Sequence, residues 1–276
     1  MNANPPANPR PSTAPALRHE KPRWSRTFAG VWRLTIPRYF TARHALVLTA
    51  VLAGVALIAI LFLRGRNGPA NYLGWTANFY FTFLVPVLAF VTGGGVIRDE
   101  MKSPTLDYIL TRPVPKPAFV AFTFVAHSLA AEIEFLLAGA IFVAVGLCYR
   151  APGLLAAIPS LLVAQAGLVA GFTAFGFLCG AVTARYVVVG LVYGAIIEIG
   201  VGQIPTELNR LSMTHQVKSM LQPILAGHGS QFSNGIELLA PAAMLSTIGV
   251  LLAFTVVSVV LAAVVYSLRE LARVNE

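Results

Sequence analysis

Residues 45–63 read ALVLTAVLAGVALIAILFL and contain no charged side chain. The hydrocarbon core of a bilayer is about 30 Å thick, and an α-helix needs roughly 20 apolar residues to cross it. This run is therefore long enough to span a membrane as a helix. Five further runs have comparable length and apolarity, at about 76–97, 118–147, 154–183, 186–204 and 243–267. The sequence predicts an all-α integral membrane protein with six transmembrane helices.

The composition agrees with a membrane location. Apolar residues make up 57% of the chain and charged residues 11%, whereas about 25% of the residues in a soluble domain are charged. The net charge of +9 is also compatible with nucleic-acid binding. However, eight of the twenty Lys and Arg residues precede residue 45, and most of the others flank the apolar runs. This distribution is typical of membrane topology, so a lipid bilayer is the expected partner and nucleic acid is not.

The orientation of the chain follows from the positions of Lys and Arg, which are enriched in cytoplasmic connections. An even number of spans places both termini on one side. With the termini inside, fifteen of the twenty basic residues are cytoplasmic and five are not. Those five are Arg64, Arg66, Arg150, Arg210 and Lys218. We therefore expect both termini in the cytoplasm.

The N-terminal region divides into a tail and a helix. Residues 1–22 are rich in Pro, Ala and Asn and lack the apolar core of a signal peptide. They are expected to form a disordered cytoplasmic tail, and residues 23–276 then form the six-span domain. At the start of this domain, Trp24, Phe28 and Trp32 recur at helical spacing with arginines between them. The pattern predicts an interfacial helix on the inner leaflet.

Two connections between the predicted spans are long: an inside loop, 98–117, and an outside loop, 205–242. The outside loop carries apolar residues that are compatible with one or two amphipathic helices. Such helices would dip into the outer leaflet or cover it.

The inside loop contains the sequence RDEMKSPTLDYILTRPVPK, residues 98–116. Ser103 followed by Pro104 favours the start of a helix, and Arg112 before Pro113 favours its end. The result is a helix of about two turns, which is marginal in water by itself. Either the membrane surface or a partner protein must therefore hold it.

This stretch resembles the first cytoplasmic loop of the type 2 ATP-binding-cassette (ABC) permeases. The family pattern runs Glu, three residues, Gly-Thr-Leu-Glu, two or three residues, and Leu-Ser-x-Pro-Val-Ser-Arg. Pro104 replaces the usual glycine, and Pro115 stands where serine is common. The layout is also similar, with an inner-surface helix, six spans and a long outside loop before the last span. The matching residues are Glu100, Thr105, Leu106, Asp107, Leu110, Thr111, Arg112, Pro113, Val114 and Lys116.

The resemblance implies a function. In that family the loop forms a cytoplasmic coupling helix that fits a groove on a separate ATP-hydrolysing subunit, and two permease copies form the membrane path. By resemblance, this chain is expected to be a homodimerising subunit of an exporter in the bacterial inner membrane. The residues expected to couple it to the ATPase are Glu100, Ser103, Thr105, Leu106, Asp107, Leu110, Arg112 and Pro113.

No catalytic chemistry is expected in this chain. The phosphate-loop pattern G-x-x-x-x-G-K-[ST] is absent from the sequence, so ATP and Mg²⁺ are expected on the partner ATPase. The metal-binding pattern H-E-x-x-H and the nucleophile pattern G-x-S-x-G are absent as well. Neither a catalytic residue nor a metal ligand is therefore predicted.

Polar residues inside the predicted spans are candidates for the translocation path. An ionised carboxylate at the bilayer centre costs at least about 2.5–3.5 kcal/mol, so such a residue must be paired, protonated or facing water. Glu132 and Glu134 are two residues apart and point to nearly opposite sides of their helix. Structural hydrogen-bond networks between helices would account for the same residues. The candidates are Glu132, Glu134, Gln165 and Glu198.

Small residues also recur at four-residue spacing, which lets helix backbones approach closely in a membrane. Packing within one subunit is the expected role of these residues. The pairs are Gly167/Gly171, Gly176/Gly180 and Gly190/Gly194.

Two other functions stay as alternatives. One is a membrane scaffold whose inside loop holds a partner other than an ATPase. The other is an ion-coupled carrier that uses Glu132 or Glu134. Nothing in the spans selects a transported substrate.

Overall fold

The computed structural model describes residues 24–65, 68–102, 116–200, 212–226 and 244–274. Within these ranges all regular secondary structure is helical. The predicted tail, 1–22, lies outside the described residues, as does much of the predicted outside loop. Residues 103–115 of the inside loop lie outside them too, so Glu100 is the one predicted coupling residue that the structure places.

The described residues form nine α-helices. A 3₁₀ turn, Ile36–Phe40, joins the first two. A π-helical turn, Tyr80–Leu84, joins α3 to α4, and a second, Gly194–Gly200, extends α7. The helices are α1 (Trp24–Thr35), α2 (Ala42–Leu63), α3 (Gly68–Phe79), α4 (Val85–Lys102), α5 (Lys116–Cys148), α6 (Leu154–Val182), α7 (Tyr186–Tyr193), α8 (Met213–Ala226) and α9 (Met244–Val274).

Five helices of the described residues are long and apolar enough to cross a bilayer. They coincide with five of the predicted spans, and α3 and α4 together form one of them, Gly68–Met101. The remaining predicted span, 186–204, corresponds to a shorter apolar helix, Tyr186–Glu198. This described part rises about 20 Å, which is less than the thickness of the hydrocarbon core, and residues 201–204 of the predicted span lie outside the described ranges. The all-α class is confirmed for these residues, which include five helices long enough to span the membrane, and the sixth span stays a prediction.

Local sequence explains where α2 and α6 begin. Thr41 has an extended backbone, and its side-chain oxygen accepts a hydrogen bond from the His44 amide at 3.2 Å, which caps α2. Between α5 and α6 the chain turns within residues 149–153. Gly153 has a φ of 74° there, in the left-handed region that suits glycine. Because this connection is short, α5 and α6 are antiparallel neighbours.

The contact between α4 and α6 is the most extensive one between described helices. Their backbones touch. A Cβ atom added to Gly180 would lie 2.5 Å from the Gly94 carbonyl oxygen, and one added to Gly176 would lie 2.9 Å from the Gly94 amide nitrogen. Lipid tails are as apolar as the side chains, so close packing of small residues supplies the attraction between such helices. The predicted Gly176/Gly180 pair therefore packs α6 against α4.

α7 packs against α4 through a similar contact. Gly190 lies against the ring of Phe90, and Gly94 lies against the ring of Tyr186. Gly194, the second member of the predicted pair, has no group within 4 Å of its Cβ position among the described residues. This pair therefore provides one close contact rather than two.

α8 begins inside the bundle. A Cβ atom added to Gly171, which lies past the middle of α6, would be 2.8 Å from the Met213 sulfur. Met213, Val217 and Leu221 are buried, and α8 contacts α3, α6 and α9. The predicted outside loop thus contributes a helix to the core of the described structure.

α1 packs across α5. The rings of Phe28 and Phe122 are 5.5 Å apart in an edge-to-face arrangement, a favourable geometry for aromatic pairs. Val31 is buried in an apolar cluster that also contains Val120 and Tyr266. The apolar face of the N-terminal helix is therefore covered by α5 and its neighbours.

Replacing Gly176 with alanine would place a methyl group against the backbone of α4, which cannot yield without separating the two helices. We expect this variant to lower the free energy of unfolding by about 1–3 kcal/mol, the usual cost of overpacking. Thermal unfolding of the detergent-solubilised protein, followed by tryptophan fluorescence, measures the change.

The matched control is the same substitution at Gly249, where a Cβ atom would meet nothing within 4 Å. In a helix interior that change should be neutral or stabilising by up to about 1 kcal/mol. Equal stability of the two variants would contradict the packing assigned to Gly176.

Candidate functional site

The polar residues predicted in the membrane interior belong to three clusters. Glu132 on α5 and Gln165 on α6 are hydrogen-bonded to each other. Glu134 and Glu198 each bond to other partners. Adjacent helical residues are about 100° apart around the axis, so Glu132 and Glu134 reach different neighbours.

The first cluster joins three parts of the bundle. The amide nitrogen of Gln165 donates to Glu132 Oε1 at 2.8 Å, and its amide oxygen accepts from the Tyr80 hydroxyl at 2.7 Å. That hydroxyl also lies 2.7 Å from the carbonyl oxygen of Phe135. Glu132 Oε2 is buried and has no partner among the described residues. The cluster therefore holds α5, α6 and the first π turn together and leaves one carboxylate oxygen available.

The second cluster links α2 to α5. His44 Nε2 and Glu134 Oε1 are 2.6 Å apart. The ring of Tyr39 packs edge-on against that of His44, and its hydroxyl is hydrogen-bonded to His127 Nδ1. The side chains of His44 and Glu134 are 31% and 25% exposed. Glu134 can therefore be reached from outside the protein, whereas Gln165 in the first cluster cannot, being 2% exposed.

The second cluster lies at one end of a cavity of about 360 Å³ between α2, α4 and α5. Asp99, Thr92 and Thr35 also line it, and most other lining residues are apolar. Small-molecule sites in proteins typically occupy about 300–1,000 Å³ and have apolar walls with a few polar groups. The cavity therefore has the size and lining of a ligand site.

The third cluster fixes the start of α8. Glu198, in the second π turn, is 7% exposed. Its carboxylate accepts hydrogen bonds from the backbone amides of Met213 and Thr214, at 3.2 and 3.1 Å. The hydroxyls of Ser212 and Tyr193 donate to it at 2.6 and 3.0 Å, and that of Thr214 donates as well. A carboxylate at a helix N-terminus satisfies free amides and opposes the positive end of the helix dipole.

Lys218 follows one turn later on α8. Burial lowers the pKa of Lys218, and the negative charge of Glu198 acts in the opposite direction. The cap on α8 therefore also favours the charged form of this lysine.

The structure describes only the edges of the predicted coupling loop. Glu100 is buried, two residues before α4 ends at Lys102. The chain is described again from Lys116, where α5 begins. The positions of the other seven predicted coupling residues lie in the part of the loop that is not described.

Sequence reasoning missed the partners of the carboxylates. His44 follows Arg43 at the edge of a span, where polar residues are usual, and Tyr80 stands within an apolar run. Ser212 and Thr214 carry a local signal, because hydroxyl residues are common at helix N-termini. Nothing local in the sequence pairs these residues with a glutamate on another helix.

Replacing Gln165 with leucine should destabilise the protein, because it removes the amide that bonds to both Glu132 and Tyr80. A buried polar group left without its partner costs about 1–3 kcal/mol. The double variant Tyr80→Phe/Gln165→Leu should lose less than the sum of the single variants, since the two side chains share a bond. Thermal unfolding of all four proteins measures this coupling, and strictly additive losses would contradict it.

No curated protein matches the chain. The sequence profile of a family described as ABC-2 family transporter protein matches residues 35–271. The matched region begins at the last residue of α1 and ends within α9, so it contains the five spans and all three polar clusters. This multi-pass membrane chain therefore belongs to the ABC-2 family of transporter proteins.

Proposed function

We propose that this chain is the membrane-spanning permease subunit of an ABC exporter. It forms the membrane path with a second copy of itself and is powered by a separate ATPase subunit that docks on loop 98–117. ATP and Mg²⁺ bind to the partner, and this chain does no covalent chemistry. Both of its termini and the loop face the cytoplasm, and the bilayer is a bacterial inner membrane.

The observation that carries the proposal is the family match over residues 35–271. It includes the whole of the loop in which Glu100 through Pro113 resemble a coupling helix. Because the chain has no phosphate-loop sequence, energy from ATP must enter through a contact with another subunit. The inside loop is the segment with the sequence pattern for that contact.

The packing of α4 supports a mechanical role for this loop. Glu100 is buried near the end of α4, so a force on the loop acts directly on this helix. Through Gly94, α4 touches α6 backbone to backbone. Packed interfaces of this kind shift between discrete arrangements rather than bending gradually. Movement of the loop would therefore displace α4 and α6 together and rock the spans between inward-facing and outward-facing states.

The residues Glu132, Glu134, Gln165 and Glu198 are our candidates for the translocation path. Ionisable groups inside membrane helices commonly mark substrate or ion pathways. Glu134 is the most favourable of the four, because its carboxylate lines a cavity and is partly exposed. Glu198 would act indirectly, by holding α8 in the bundle.

Replacing residues 103–112 with a Gly/Ser linker of equal length should abolish binding to the ATPase subunit while the chain still inserts in the membrane. The measurement is co-purification of a phosphate-loop ATPase with the detergent-solubilised chain, followed by the rate of ATP hydrolysis by the complex. The unmodified chain should retain the ATPase and the linker variant should lose it.

The matched control replaces residues 228–237, ten residues of the predicted outside loop, with the same linker. This variant should retain the ATPase. Loss of the ATPase from both linker variants would indicate general misfolding. In that case the coupling role is tested by reversing the charges of Asp107 and Arg112 together. Unchanged ATP turnover in that charge-reversed protein would refute the coupling role.

The orientation can be tested with the two native cysteines. Cys148 is exposed at the end of α5 that we place outside, and Cys179 is buried. A membrane-impermeant maleimide added to intact spheroplasts should label Cys148 and leave Cys179 unlabelled. A Cys148→Ser variant identifies the labelled residue. Labelling of Cys148 only after permeabilisation would reverse the proposed orientation.

A second candidate is an ion-coupled carrier without an ATPase. The observation in its favour is the contact between Glu134 and His44, since such groups serve as proton relays in membrane transporters. Transport by reconstituted protein that follows a proton gradient and needs no ATP would favour this carrier. A scaffold function would be favoured if a non-ATPase protein co-purified through the inside loop.

A further inference from the structure

The cavity between α2, α4 and α5 is polar at one end and apolar at the other. On α2, His44 lies near the start of the helix, and the lining residues that follow it, such as Leu48 and Leu52, are apolar. On α4, Asp99 lies near the other end of the helix from the lining residue Leu88. The start of α2 and the end of α4 therefore form a polar end together with Glu134 in the middle of α5, and the opposite end is apolar.

Two carboxylates at the polar end have unused hydrogen-bonding capacity. Glu134 contacts His44 through Oε1, while its Oε2 has no partner among the described residues. Asp99 is exposed and makes no hydrogen bond or ion pair within the described ranges. Both line the cavity. A positive charge placed there would be attracted by two negative groups.

Among the described residues that line the cavity there is no Lys or Arg. An anionic lipid or solute would therefore be repelled by the carboxylates of Asp99 and Glu134, and the basic groups that face it among the described residues are the imidazoles of His127 and of His44, which already contacts Glu134. A bare metal ion is also a poor fit, because the walls are largely apolar and hard cations require six or more oxygen ligands. An organic cation with an apolar body is complementary to both ends of the cavity, because its charge matches the polar end and its body matches the apolar end. The ring of Tyr39 at the polar end can add a cation–π contact.

The cavity is accessible from the side. Val47 on α2 and Thr92 on α4 both line it and are exposed, as is Asp99. α2 packs chiefly against α5 rather than α4, which leaves a gap between α2 and α4. A ligand dissolved in the membrane could therefore enter laterally, with its charge at the level of the polar end.

We infer that this cavity binds a lipophilic organic monocation, whose charged centre lies near Glu134 and Asp99 and whose apolar body lies along α2 and α4. The inference goes beyond the proposed function, because binding requires neither an ATPase nor transport. Under the proposed orientation the start of α2 and the end of α4 face the cytoplasm, so the ligand would enter from the cytoplasmic half of the membrane and place its charge towards the middle of α5.

The test uses two probes of nearly the same size and shape but opposite charge, tetraphenylphosphonium and tetraphenylborate. The full chain is reconstituted in lipid nanodiscs, and empty nanodiscs are used to set equal membrane-bound concentrations of the probes. A ligand that binds the folded state raises the unfolding midpoint. We expect the cation to raise the midpoint by about 4 °C or more at saturation and the anion to leave it unchanged. No shift with the cation, or equal shifts with both probes, would overturn the inference.

Variants locate the site. Glu134→Gln keeps the size of the side chain and removes its charge, and it should weaken cation binding at least about tenfold. Val47→Trp fills the open side of the cavity and should abolish the shift. Leu46→Trp is its matched control, since Leu46 is exposed on the same helix and does not line the cavity. A full response to the cation in either Glu134→Gln or Val47→Trp would overturn the assignment of this cavity.

The assay also separates this inference from the proposed function. The nanodisc protein contains no ATPase, so a failure of cation binding has no bearing on the coupling loop. Conversely, loss of ATPase co-purification would not affect the shift caused by tetraphenylphosphonium.

Discussion

The contact between the backbones of α4 and α6 determines how the other helices are arranged. In lipid there is little hydrophobic force between helices, so dispersion contacts at close range must hold them together. Gly94 on α4 meets Gly176 and Gly180 on α6 at distances that no Cβ atom would allow. α7 then packs on the same helix through Gly190 and Phe90. Because α4 leads directly into the inside loop, the tightest contact of the bundle is joined to the segment proposed to receive the force of ATP hydrolysis.

Polar groups connect parts of the bundle that are not joined by close contacts at glycine residues. The Gln165 amide bridges α5 to the first π turn, and Glu198 binds the start of α8. Such groups are costly in a bilayer unless they have partners, so each cluster favours one relative position of its helices. Glu134 differs from both, because its carboxylate is partly exposed and lies beside an apolar cavity. A polar group without a partner is costly in a bilayer. In the other two clusters bonds between helices offset this cost, whereas at Glu134 a bound cation would offset it.

The sequence was sufficient to predict five spans. An apolar run of roughly 20 residues has few stable arrangements other than a helix across the membrane. It was not sufficient for the local form of residues 186–200, which are as apolar as the other runs but include a π-helical turn, Gly194–Gly200. What holds that turn is a set of donors from Ser212, Met213 and Thr214, which come later in the chain. The partners of Glu132 and Glu134 were unpredictable for the same reason. They depend on how one helix is rotated against another, which hydrophobic periodicity does not specify.

The placement of α8 has a consequence for the path through the membrane. The helix starts beside Gly171, within the bundle, and its buried face contacts α3, α6 and α9. α6 and α9 pack directly against each other, and α8, a helix with hydroxyl groups and a lysine, packs against both of them. Glu198 is the group that supports this arrangement, because replacing it with alanine would remove the acceptor of two backbone amides and three hydroxyls. The cost of that change, at about 1–3 kcal/mol for each buried group left unpaired, is comparable to the whole stability of a typical domain. The position of α8 is therefore a fixed part of the membrane domain, and conformational change during transport is more readily accommodated at the open gap between α2 and α4.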